Sequence, residues 1–252
     1  MANWNDPQPT SRSGQTGFGA APGLNPSVPN TRAGLDAGLR KYMLSIYNYM
    51  ASGVLLSGIV AIAMANTAIG VSIITSPLMF LVIFAPLAIV FAMSFGANRF
   101  SQGTLQILFW AFAVLMGMSL STIFLVYTGE SIAATFFATA GAFAGLSLFG
   151  YTTKKDLSGW GSFLIMGVIG LIIASVINIF IQSSALYWAI SFLGVLIFAG
   201  LTAYDTQRLK AQYYHLAGTE FIGKAVILGA LSLYLDFINM FQFLLAFMGQ
   251  RD

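Results

Sequence analysis

Two aspartates and one arginine stand where the sequence carries almost no other charge. Asp236 lies in LSLYLDFINMFQFLL (Leu231–Leu245), and the nearest charged residues on either side are Lys224 and Arg251. Asp205 lies in GLTAYDTQRLK, with Arg208 and Lys210 just beyond it. Arg99 separates two uncharged runs, Tyr42 to Asn98 and Phe100 to Gly129. An ionised side chain near mid-bilayer costs at least about 2.5–3.5 kcal/mol on insertion scales, so it is kept for a partner or a path. On a helix, Ser232 (i−4) and Asn239 (i+3) share the face of Asp236, a polar stripe that should turn inward. Two carboxylates in one dry site share a proton, and they offer hard oxygen ligands suited to Ca²⁺. Spacing alone leaves open whether Asp205 and Asp236 meet. Asp205 has a simpler partner in Arg208 at i+3, and Asp236 could be a protonated group bonded to another helix. At about 1.5 Å per residue, Asp236 is about 18 Å from Lys224, and Asp205 about 5 Å from Arg208. A tilted last helix, or one that begins below the membrane plane, is needed to level them.

The elements that position these residues are membrane helices. The chain is 58% hydrophobic and 8% charged, against about 25% charged in soluble domains. A spanning helix needs roughly 20 apolar residues, and seven such stretches fit: about 43–66, 78–98, 104–127, 131–151, 161–181, 185–207 and 225–248. Alternating barrel-type strands are absent. The expected fold is therefore an all-α integral membrane protein with seven transmembrane helices in residues 41–252. Residues 1–40, rich in Pro, Gly, Ser, Asn and Thr, read as a disordered tail with no signal-peptide pattern. Pro86 is expected to kink the second span. Gly141 and Gly145 in GAFAG have a small-xxx-small spacing suited to close helix packing. The absence of cysteine excludes disulfides and thiolate metal sites.

Ten of the eleven Lys and Arg fall on one side of seven alternating crossings; only Arg251 does not. The positive-inside rule then puts the N-terminus in the cytoplasm and the C-terminus outside. A re-entrant last segment is the alternative. On this reading the net charge of +3 is a topology signal, and no nucleic-acid partner is implied. Arg99 and Asp205 lie toward the same cytoplasmic side. His215, the single histidine, is read as solvated in the sixth connection, and Tyr213 and Tyr214 as interfacial anchors. Glu130 is read as a solvated outer carboxylate.

GLTAYDTQRLK followed by LSLYLDFINMFQFLL resembles the two closing motifs of the transmembrane Bax inhibitor motif family. FGYTTKKDLSGWGSFL, ahead of VINIF, resembles the family's fourth connection and fifth span, and the resemblance runs over roughly residues 40–250. It implies seven helices with the last surrounded by the other six, and a pH-sensitive calcium leak with Ca²⁺ as transported ion and no cofactor. The family's paired aspartates fall on Asp205 and Asp236, beside which helical periodicity alone sets Ser232 and Asn239 as a supporting stripe. Its second-helix arginine, a latch to the first aspartate, falls on Arg99, although ANRFSQG matches the family poorly.

Three rival functions compete. Tyr204-Asp205 is similar to the Tyr-Asp motif of intramembrane aspartyl proteases. Asp236, however, follows Tyr234-Leu235 instead of Gly-x-Gly, and no Pro-Ala-Leu motif occurs, so no enzyme is expected. A membrane regulator that binds a partner protein, such as a membrane protease, would make the tail a docking segment. A proton-coupled transporter would carry an inverted repeat, and none is visible. The compact body and the lack of a retention signal point to a bacterial inner membrane.

Overall fold

The computed structural model describes residues 32–250. Among them the chain forms α1 (Arg32–Ala65), a short α2 (Ala68–Ile74), α3 (Leu78–Gly96), and α4 (Gln102–Leu120) with a 3-10 turn over Ser121–Leu125. Then come α5 (Gly129–Thr152), α6 (Ser158–Ile181), α7 (Ser184–Leu216) and α8 (Ile222–Met248). All but α2 are long and apolar enough to cross a membrane, and they correspond one to one with the seven expected spans. Polar punctuation sets several starts. Ser101, Thr128 and Ser183 each accept a hydrogen bond from the N–H three residues on, which satisfies a donor the helix leaves open.

Several expectations shift. Residues 1–31 of the expected tail lie outside the described residues, while 32–40 already belong to α1. α7 continues nine residues past 207, to Leu216, so His215 lies in its last turn and not in a connection. Tyr214 is exposed, as an anchor should be, but Tyr213 is buried against Tyr42 with ring centroids 5.4 Å apart. Gly141 and Gly145 are not packing positions: a Cβ on either would meet nothing within 4 Å. Close approach happens instead at Gly150, where a Cβ would strike the Ala203 carbonyl of α7.

α8 is the axis of the bundle. Half of its spanning window is buried, against 11–33% for the other six spans. Its fully buried Tyr234 places a hydroxyl 2.6 Å from Ser57 Oγ on α1, and Ser57 Oγ lies 2.7 Å from the Ala113 carbonyl on α4. A hydroxyl has one proton to give; Ser57 directs its own at the Ala113 carbonyl and, at 3.0 Å, the Gly53 carbonyl, so Tyr234 donates to Ser57. Three helices are tied by one buried relay.

The connections sort by end, as the alternation of crossings requires. Gln207 of α7 donates to the Lys155 carbonyl and accepts from Leu157 N–H, both at 2.8 Å, which clamps the connection between α5 and α6. Gln102 of α4 lies against Gly223 at the start of α8. At the opposite end, Gln250 N–H donates to Ser131 Oγ at 2.9 Å, and Thr128 N–H to the Gln250 carbonyl at 3.2 Å. α8 therefore runs the length of the bundle and does not turn back.

Candidate functional site

α7 and α8 form an antiparallel pair closed by a turn in which Gly218 takes φ +82°, a conformation that favours glycine. Both helices extend well past the charged residues. From Arg208 to Leu216 is about 12 Å, and from Ser232 back to Ile222 about 15 Å, at about 1.5 Å per residue. The two arms nearly match, so Arg208 faces Ser232. The depth difference counted from Lys224 shrinks to about one helical turn, about 4.5 Å, because the first turns of α8 run beside the end of α7 instead of starting at its last apolar residue.

Three side chains close a ring there. Arg208 Nη2 lies 3.3 Å from Asp205 Oδ1 and donates to Ser232 Oγ at 3.2 Å. The Ser232 hydroxyl donates to Asp205 Oδ2. Asp205 is 6% exposed, and Arg208 packs over the Tyr204 ring at 5.8 Å from its centroid. Asp236 sits one helical turn beyond Ser232 on the same face, within electrostatic reach of both Asp205 and Arg208. It is 5% exposed, and its Oδ2 is buried without a hydrogen-bond partner among the described residues. Asp205 is thus bonded to the α8 residue one turn from Asp236, and Arg208 contacts both Asp205 and Ser232.

A second relay backs the site. Tyr47 of α1 and Ser147 of α5 share a hydrogen bond at 2.6 Å, Ser147 and Thr206 one at 3.0 Å, and Thr206 donates to the Thr202 carbonyl at 2.8 Å. Thr206 adjoins Asp205, so the chain fixes the α7 turn that carries the carboxylate. Sequence reading did not single out Tyr47, Ser147 or Thr206. Each is an ordinary polar residue among many, and only the crossing of α1, α5 and α7 makes them a set.

The other expected residues fall as follows. Asn239, on the stripe, donates its amide to the Leu235 carbonyl at 2.8 Å. Arg99 is exposed in the turn after α3, and the ion pair Asp205 makes among the described residues is with Arg208. The local i+3 pairing is the one present in this conformation. Glu130 is exposed in the first turn of α5. Among the described residues no three His, Cys, Asp or Glu converge as a metal site, so the pair offers a cation only two carboxylates.

Residues 39–252 match the family described as "Inhibitor of apoptosis-promoting Bax1". The chain belongs to the Bax inhibitor-1 family. An uncharacterized protein of Caulobacter vibrioides is 51% identical over 236 residues, covering 88% of this chain and 94% of the relative. The inner membrane protein YbhL of Escherichia coli is 46% identical over 219 residues, covering 85% of this chain and 94% of its own length. Protein RP147 of Rickettsia prowazekii is 49% identical over 223 residues, with 86% and 92% covered. The family match spans all seven long helices except the start of α1, and with it both aspartates. The chain is an integral membrane protein of this family.

Proposed function

We propose that the protein is a pH-sensitive calcium leak channel of the bacterial inner membrane, gated by the Asp205–Asp236 pair, with its N-terminus in the cytoplasm. The observation that carries this reading is the Ser232 bridge: Ser232 bonds Asp205 while lying one turn from Asp236 on the same face of α8. Two carboxylates and one guanidinium sum to zero charge when the pair holds one proton, a state that suits a closed, dry junction. Loss of that proton leaves one net negative charge between α7 and α8. That charge draws in a cation and strains the helix contact. Tight Ca²⁺ sites use six to eight oxygens, so two carboxylates and a serine hydroxyl make a transit site and not a store. Arg208 latches Asp205 in this conformation. Arg99, at the same end of the bundle, is the second cation that can take Asp205 when α7 and α8 part.

The test is Ca²⁺ entry into liposomes across pH 5 to 8, with Asp236→Asn beside the wild type. The expected result is a pH-dependent flux that Asp236→Asn abolishes or renders indifferent to pH. A regulator acting through a bound partner protein predicts no flux at any pH from folded protein, and partner capture that survives Asp236→Asn.

A further inference from the structure

The polar stripe of α8 does not stop at Asn239. Gln242 continues it at i+3, toward the end of the bundle away from the basic connections. Beside Asn239 and Gln242 a cavity of about 470 Å³ opens between α6, α7 and α8; Ser175, Asn178 and Ser191 add polar groups to walls that are otherwise mostly apolar, among them Ile179, Ile190 and Phe243. Its polar groups are incompletely satisfied by protein. Ser175 and Gln242 make no side-chain hydrogen bond among those of the described residues, and the Asn239 amide oxygen is left over once its N–H has gone to Leu235. Ser191 and Asn178 are bonded locally, to the Tyr187 carbonyl and from Ser183 N–H. Open amide and hydroxyl groups at membrane depth are stable only against water or protein. A cavity this size has room for water, and these groups offer the two to four polar partners a water needs.

Its inner end at Asn239 lies one helical turn from the acidic pair. Asn239 lies nine residues inside the end of α8, about 14 Å, and a further three residues, about 4.5 Å, reach Asp236. We infer that this cavity is a water-filled vestibule through which a cation reaches Asp236 from the far side, stripped of part of its hydration by the neutral oxygens of Asn239 and Gln242. This assignment rests on the leak-channel reading for its function but not for its water. Neutral amide oxygens suit the role, because they replace hydration without binding so tightly that the ion stays.

The protein has no cysteine of its own, so single cysteines can report water access directly. Gln242→Cys, Asn239→Cys and Ser191→Cys, in the full-length protein in right-side-out and inside-out vesicles, are challenged with a charged, membrane-impermeant thiol reagent. Val176→Cys is the control, since Val176 neighbours Ser175 at the same depth but faces outward at 50% exposure. Rapid labelling at 242, 191 and 239 from one side, with 176 unreactive, is expected. Silence at all three in folded protein overturns the vestibule even if the channel conducts. For the ion path, Asn239→Leu and Gln242→Leu are expected to lower Ca²⁺ flux several-fold while keeping its pH dependence. Unchanged flux in both, beside an inactive Asp236→Asn, overturns the entrance. Labelling without any wild-type flux would keep the water-filled cavity and remove the channel reading instead.

Discussion

Replacing Arg208 by glutamine tests whether this arginine is the latch. Its guanidinium lies 3.3 Å from a carboxylate oxygen of Asp205, with side-chain exposures of 47% and 8%. Coulomb's law at an effective dielectric constant of about 20 gives about 5 kcal/mol for unit charges at that separation. The half-exposed guanidinium is screened, so the working value lies lower. Exposed pairs contribute about 0.2–1 kcal/mol, and breaking a buried one costs about 3–5 kcal/mol. A pair with one buried and one half-exposed partner falls near 2 kcal/mol. If that energy belongs to the closed state, its loss raises the open population roughly thirtyfold. Basal Ca²⁺ flux from liposomes at fixed pH should rise by that order in Arg208→Gln. Ser232→Ala, which removes the bridge but keeps the charge pair, should raise it less. An unchanged leak in Arg208→Gln beside a raised leak in Arg99→Gln would refute the assignment and return the latch to Arg99.

Ser57→Ala strands the Tyr234 hydroxyl in the core. It should destabilise the protein by about 1–3 kcal/mol, toward the low end because interhelical bonds in membranes average about 0.6 kcal/mol. The double variant Ser57→Ala/Tyr234→Phe should be no less stable than Ser57→Ala alone, as read by thermal unfolding in detergent. Gly150→Ala should destabilise by about 1–3 kcal/mol in the same assay through overpacking against the Ala203 backbone, whereas Gly141→Ala should be neutral. At the start of α6, hydrogen bonds from the Ser158 side chain and then its N–H hold the exposed Asp156 carboxyl below the ordinary aspartate range. The contribution of that contact is present above the unfolded-state value and lost as pH falls through the depressed one. Ser158→Ala should return the Asp156 titration, followed by NMR, toward the ordinary range.

The seven spans are legible in the sequence because a long uncharged run suits a bilayer and little else, and Tyr42–Asn98 and Phe100–Gly129 announce membrane helices by length alone. Their ends are not legible. Hydropathy reports the thickness of the bilayer, not the length of a helix, so the charged turns at Arg32–Lys41 and Gln207–Leu216 do not read as helix. The same blindness hides the bond from Ser232 to Asp205 that brings α7 to the Asp236 face, which depends on α8 rising beside α7 from Ile222. Asp236 is legible by isolation, and the stripe of Ser232 and Asn239 by periodicity. Arg208 is visible as a neighbour at i+3, but only the ring through Ser232 makes it part of the site. The GAFAG glycines show the limit of spacing: a small-xxx-small pattern permits close approach without saying which face meets a neighbour. Gly150, with no such pattern, is where α5 and α7 touch.

If the two aspartates gate the protein together, they must act as one titrating unit. The most direct test is the pH dependence of Ca²⁺ flux in Asp205→Asn, Asp236→Asn and the double variant, measured side by side in liposomes. Coupled groups titrate as a pair, so each single substitution should remove the pH response and the double should add nothing further. Two partial losses that sum in the double variant would contradict the paired gate, because they would make Asp205 and Asp236 independent groups that happen to share a membrane depth.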